Sequence, residues 1–202
     1  MSSATESPTT GRPERADARR NRDAVLSAAR RLFASAGTEA SMPAIAAAAG
    51  VAVGTIYRHY PSKEQLIEAV VIERLRAIVR IVEAVLSAPS NHPFAVFFQQ
   101  VAALCVEDGR FAAIVSEVAH TSTAGRDASQ QLQQALTRLL DAAADCGELR
   151  VRLEPADIPI LLAGVRRAAQ QQDPARWERY IGVVLHGVCN ASAPEGAGDA
   201  TD

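Results

Sequence analysis

The chain predicts an all-α protein of about nine helices, with an N-terminal three-helix helix-turn-helix domain followed by a larger C-terminal helical domain. Three observations carry that prediction. Apolar residues recur near the helical period from Val25 to Val188, and no stretch alternates at period two for long. Glycine and proline punctuate the periodic stretches at intervals that suit single helices. The segment Ser41 to Leu66, SMPAIAAAAGVAVGTIYRHYPSKEQL, has the spacing of two short helices joined by a tight turn, then a third helix with its own cap.

Each element has a local reason. Val25, Leu26, Ala29, Leu32 and Phe33 recur at i, i+1, i+4, i+7 and i+8, and Gly37 closes that first helix. Ser41 is an N-cap with Pro43 tolerated in the opening turn, Ile45 and Ala46 form an apolar edge, and Gly50 supplies a left-handed residue that ends the helix. Val51 plugs the corner, and Ile56 with Tyr60 gives the next helix a buried edge at i, i+4. Pro61 stops that helix, and Ser62 with Gln65 three residues on is a capping box. The helix it opens runs to about Leu86 before Pro89 interrupts. Pro93 opens a helix carrying Phe94, Phe97, Phe98, Val101 and Leu104, and Gly109 breaks it. A short helix is expected over about Arg110 to His120, and another over about Gly125 to Asp145, ended by Gly147. Pro155 and Pro174 each suit the first position of a helix, with Glu154 and Asp173 before them. Pro159 fits the first of these poorly, and points to a start one turn later, capped by Asp157.

The second helix of the Ser41–Leu66 segment is unusual on its outward face. With Ile56 and Tyr60 turned inward, Thr55, Tyr57, Arg58 and His59 face water, and all can donate hydrogen bonds. A donor-rich helix clamped behind by another helix suits the major groove of DNA. The helix N-termini at Ser41 and Lys63 offer free amides and positive dipole ends to phosphates on either side. Charge is distributed accordingly. Residues 12–65 hold nine Lys/Arg against five Asp/Glu, a net +4, whereas residues 66–202 hold twelve against seventeen, a net −5. Phosphate binding requires the basic charge to sit with the helix-turn-helix. Arg12, Arg15, Arg19, Arg20 and Arg22 cluster before or inside the first helix, within reach of phosphates or the minor groove.

Over Arg20 to Val70 the chain resembles the DNA-binding domain of the TetR family of bacterial transcriptional regulators. The matching elements are DAVLSAARRLFASAG, IAAAAGVAVGTIYRHYPSKEQL and the long helix that follows. The resemblance places Tyr57 and Lys63 on the family's phosphate-contacting positions and Thr55, Arg58 and His59 on operator-facing ones. Gly54 falls where a small residue lets the backbone approach. Val53 departs from the pattern, standing where relatives often carry a polar residue, and offers only apolar contact such as with a thymine methyl. The DNA-binding set is therefore Ser41, Val53, Gly54, Thr55, Tyr57, Arg58, His59 and Lys63.

The C-terminal part carries two further expectations. Trp177, Tyr180, Ile181, Val184, Leu185 and Val188 form one continuous apolar face, and Ile158, Leu161, Leu162 and Val165 form another. Gly164 and Gly182 lie inside these helices, where each costs about 1 kcal/mol against Ala, and close helix–helix approach would offset that cost. TetR-family proteins commonly dimerise through such a four-helix interface, so both faces are expected at the homodimer contact. The resemblance also implies a pocket over about residues 93–170 for a small, largely apolar effector, with Phe94, Phe97, Phe98, Phe111, Ile114, Val118 and Leu136 as candidate lining. The implied organisation is a disordered arm at 1–16, the DNA-binding domain at 17–65, an effector-binding and dimerisation domain at 66–190 and a disordered tail at 191–202. The implied function is a regulator, in the first instance a repressor, that binds a palindromic double-stranded operator as a homodimer and is released by the effector.

Other classes fit less well. There is no nucleophile–base pair, no paired carboxylates and no Gly-rich phosphate loop, so no catalytic site and no cofactor are expected. Cys105, Cys146 and Cys189 are far apart and lack metal-ligand spacing, and His92 and His120 have no partner at metal spacing. No apolar run approaches the roughly 18 residues of a membrane span, and the N-terminus lacks a signal-peptide core, so a cytoplasmic protein with no membrane partner is expected. A helical interaction protein that does not bind DNA would explain the amphipathic faces, but not the local positive charge or the capped Lys63. An activator working without an effector remains the alternative among regulators.

Overall fold

The computed structural model describes residues 11–111, 114–115, 122–170 and 175–190. Among these there are eight α-helices and no strand. Helix α1 spans Gly11–Ala36 and is followed by a 3-10 turn, Gly37–Glu39. Then come α2 (Met42–Ala49), α3 (Val53–His59) and α4 (Lys63–Ser87). Helices α5 (Pro93–Glu107), α6 (Thr123–Asp145), α7 (Asp157–Ala169) and α8 (Ala175–Val188) complete the order. Residues 11–16, expected in the arm, are the opening turns of α1. Pro13 is tolerated near a helix start, and the Arg, Glu and Ala residues after it favour the helix. The first ten residues, the expected tail at 191–202, the cap at Asp173 and Pro174, and most of the expected 110–120 helix fall outside the described residues.

The chain divides into two compact units. The first comprises Met1–Val71 with Arg110–Val118, the second Ile72–Gly109 with Ala119–Asp202, and the first division falls inside α4. Val25, Ala28, Ala29 and Phe33 of α1 are buried in the first unit with Ile45 and Ala46 of α2, Ile56 of α3 and Leu66 of α4. Arg110 joins this unit because its N–H donates to Ala34 O at 3.0 Å, and Phe111 because its ring stacks on Phe33 at 6.2 Å.

In the second unit the core is built from Val82, Val85, Phe94, Phe97, Phe98, Val101, Leu136, Leu139, Ile158, Val165, Ile181 and Val184. Gly147 (φ +74°) ends α6, with Glu148 N–H donating back to Ala143 O at 2.9 Å. The next residues bind two helix ends at once. The Glu148 carboxylate is buried and accepts the first-turn N–H groups of Phe94 and Ala95 at 2.8 and 2.9 Å, so it caps α5. Arg150 N–H donates to Val188 O at 2.9 Å and its guanidinium to His186 O at 3.3 Å, closing the carbonyl end of α8. Asp157 is not the N-cap of α7. It stands at the first helical position and accepts Glu154 N–H at 2.8 Å.

A buried ion pair also belongs to this unit. Arg74 of α4 and Asp108, which caps α5, meet at 2.5 Å with side chains only 7% and 3% exposed. Burial pushes the neighbouring Cys105 thiol up to about 11, and the Asp108 charge adds to that shift. Such a pair contributes little net stability against an apolar replacement, but it fixes which turn of α4 meets the end of α5.

Candidate nucleic-acid interface

Helices α2 and α3 form a tight corner. Ser41 caps α2, its hydroxyl accepting Ala44 N–H at 3.3 Å. Gly50 sits at φ 68°, ψ 29°, with Gly50 N–H to Ala47 O at 3.2 Å and Val51 N–H to Ala46 O at 3.1 Å. That double bond is the Schellman end that a left-handed residue permits, and it lets the chain reverse into α3 within three residues. Ile56 is fully buried and Tyr60 is 7% exposed, so these two anchor α3 from behind.

The opposite side of α3 is open. Val53 is 38% and Tyr57 46% exposed, Gly54, Arg58 and His59 are exposed, and Thr55 is half-buried. Among the described residues, nothing beyond its chain neighbours and its own helix backbone lies within 4 Å of where a Cβ on Gly54 would stand, so packing among them does not demand a glycine there. Lys63 opens α4, and its ammonium donates to the Thr38 carbonyl in the middle of the 3-10 turn. That bond uses one of three donors and leaves two for an anion. Ser62 Oγ accepts Gln65 N–H at 3.3 Å, which is the backbone half of the expected capping box. The side chain that turns back is Glu64. A bond from its own backbone N–H, then the Ser62 hydroxyl, holds its carboxyl below the usual range. The arrangement presents a seven-residue helix with a polar outer face, flanked by the capped starts of α2 and α4.

Comparisons with known proteins agree with this geometry over both units. The family profile described as bacterial regulatory proteins, tetR family, matches residues 25–70, and the profile of the SbtR-like transcriptional regulator C-terminal domain matches 89–189. A solved TetR transcription regulatory protein from Mycobacterium vanbaalenii is 31% identical, with a TM-score of 0.68 over 88% of this chain and 100% of that one. The chain belongs to the TetR family. A TetR transcriptional regulator from Streptomyces coelicolor is 32% identical, with a TM-score of 0.67 over 83% and 98% of the two chains. The HTH-type transcriptional regulator UidR of Escherichia coli K12 is 38% identical over 71 residues, a match that spans 34% of this chain and only 36% of that relative. As a TetR-family member the protein is a DNA-binding transcriptional regulator and not an enzyme. No described helix is long and apolar enough to cross a membrane.

The expected effector lining of this TetR-family chain divides between the two units. Phe94, Phe97, Phe98 and Leu136 are packed in the core of the second unit, with Phe94 and Phe98 stacked at 5.6 Å. Phe111 and Ile114 are buried in the first unit, and Val118 lies outside the described residues. A half-open groove of about 620 Å³ exists elsewhere. Leu140, Asp141 and Ala144 of α6 line it with Leu149, Arg150, Val151, Arg152 and Leu153.

Part of the two apolar faces expected at the dimer contact is taken up by the chain's own core. Ile158, Val165, Ile181 and Val184 are buried in the chain's own core, and Leu161, Leu162, Trp177, Leu185 and Val188 pack partly buried against it. The reason is that α7 and α8 pack on each other and on α5, which claims the strongest apolar stripe of each. Gly164 serves that packing, since a Cβ there would collide with the Tyr180 hydroxyl. Gly182 has open space beyond it. What α7 and α8 leave outside is Ile160 at 70% exposure and Val183 at 63%, which the stripe reading of the sequence passed over. Arg74, Asp108 and Glu148 were missed as well. Nothing local marks them, because their partners are 34 or more residues away along the chain.

Proposed function

We propose that this TetR-family regulator is a repressor that binds a palindromic operator as a homodimer and releases it when a small molecule binds the second unit. The single observation that supports this most is the polar outer face of α3, carried on a helix whose inner residues Ile56 and Tyr60 are buried. In this reading Thr55, Arg58 and His59 meet base edges, and Val53 and Gly54 allow close apolar approach. Tyr57, Lys63 and the amides after Ser41 hold phosphates. Dimerisation uses the outer surfaces of α7 and α8 around Ile160 and Val183, where the gap beside Gly182 admits a second helix. Two α3 helices related by a two-fold axis read half-sites about 34–36 Å apart, or a multiple of that spacing. Occupation of a promoter by such a dimer blocks transcription without further contacts. Selection of bound sequences from a random duplex pool tests this reading. A recovered palindrome supports it, and recovery of no preferred sequence refutes it.

A further inference from the structure

Tyr60 ends the recognition helix as its C-cap residue, with its N–H on Ile56 O at 2.7 Å. Its ring anchors α3, but a phenylalanine would do that equally well. The hydroxyl is different: among the described residues no group meets the buried Tyr60 Oη at good hydrogen-bond geometry, and the Arg22 guanidinium is the side chain near enough to donate to it. A buried hydroxyl with so poorly formed a bond is costly, so its presence calls for a reason outside packing. The charged groups that face it are Arg22 and Asp23 of α1. Burial pushes the phenol's pKa up, the Arg22 guanidinium opposes that shift, and Asp23 adds to it. Arg22 is itself exposed, on the same unit as the outward Arg58 and His59, and the His59 ring lies 6.5 Å from that of Tyr60.

We propose that Tyr60 is a positioning residue for DNA binding: its buried hydroxyl receives one N–H of Arg22 and so holds the guanidinium for a backbone phosphate beside the C-terminal end of α3. Arginine suits this role because its planar fork carries five donors. One is spent on Tyr60 Oη and the outer pair stays available to a phosphate. The proposal rests on α3 being the element that enters the groove.

The test compares Tyr60→Phe, Arg22→Ala and the double variant with the wild-type chain. Each is titrated against a duplex that the wild type recovers from a random pool, over a series of salt concentrations, with thermal unfolding measured in parallel. One lost phosphate contact lowers the salt slope by about 0.9 and weakens binding about fivefold per protomer near 0.15 M salt. Tyr60→Phe and Arg22→Ala should each show that loss, and the double variant no more than Arg22→Ala. Tyr60→Phe should unfold no earlier than the wild type, since the buried oxygen it removes is held only by the exposed Arg22 guanidinium. A Tyr60→Phe chain with wild-type affinity and slope overturns the proposal while leaving the DNA reading intact. So does additive loss in the double variant, or a fall in stability that accounts for the lost affinity. A wild-type chain that recovers no duplex overturns both.

Discussion

Replacing Ile160 and Val183 together by serine separates the dimer surface from the chain's own core. Both side chains are already exposed in the single chain, at 70% and 63%, so their loss removes almost no packing within it. Burying an isoleucine or valine side chain in full stabilises by about 2 kcal/mol. Scaling that by the exposed fractions leaves about 1.4 kcal/mol for Ile160 and about 1.3 kcal/mol for Val183 to be gained in an interface. A two-fold axis counts each residue twice, which brings the total to about 5 kcal/mol. At tenfold per 1.4 kcal/mol, full coverage gives a loss in dimer affinity on the order of 10⁴-fold, and half coverage about 10²-fold. Sedimentation equilibrium of the Ile160→Ser/Val183→Ser chain should therefore show monomer at concentrations where the wild type is dimeric, with unchanged helix content. If that variant stays as dimeric as the wild type, the outer face of α7 and α8 is not the contact. Ile181→Ala, in contrast, should lower folding stability by about 2–5 kcal/mol because its side chain fills the core.

Glu148→Gln keeps the shape of the side chain that caps α5 but turns an amide N–H toward one of the two backbone N–H groups now bound, so stability should fall by about 2–3 kcal/mol in urea unfolding, and an unchanged midpoint would refute the capping role. Lys63→Ala should weaken binding to all duplexes alike and reduce its salt dependence by about one phosphate per protomer, whereas Thr55→Ala and His59→Ala should change which base pairs are preferred. Uniform loss from all three would contradict the division between phosphate and base contacts. Thiol alkylation at pH 8 should modify exposed Cys146 first. Cys105 and Cys189, pushed up to about 11 chiefly by burial, hold only about one thiolate in a thousand at that pH and should react only on unfolding.

The helix-turn-helix was legible in the sequence because every step of it is a local rule. Ser41 and Ser62 are caps whose bonds lie within three residues, and Gly50 is a left-handed turn whose partners are Ala46 and Ala47. The inward pair Ile56 and Tyr60 follows from helical period alone. The second unit was legible as helices but not as surfaces. Periodicity finds the more apolar stripe of α7 and α8. It does not say how much of that stripe the chain's own α5 covers and how much is left for a second copy: the core buries Ile158, Val165, Ile181 and Val184 and leaves Leu161, Leu162, Trp177, Leu185 and Val188 partly exposed. Phe94 and Phe111 look alike as aromatic residues near helix starts, yet one stacks on Phe98 and the other on Phe33 in different units. Glu148 reads as an ordinary charge after a glycine until a contact 54 residues distant gives it a partner. The buried hydroxyl of Tyr60 was hidden for a related reason, since apolar spacing predicts burial of the ring and is silent about the oxygen.

The central claim is that the outer face of α3 lies against DNA. Photo-crosslinking from p-benzoylphenylalanine introduced at Tyr57 measures this directly, using the duplex recovered from a random pool and the same probe at Val183 as control. The account predicts a covalent protein–DNA product from position 57 and none from position 183. Crosslinking from 183 with none from 57 would contradict it.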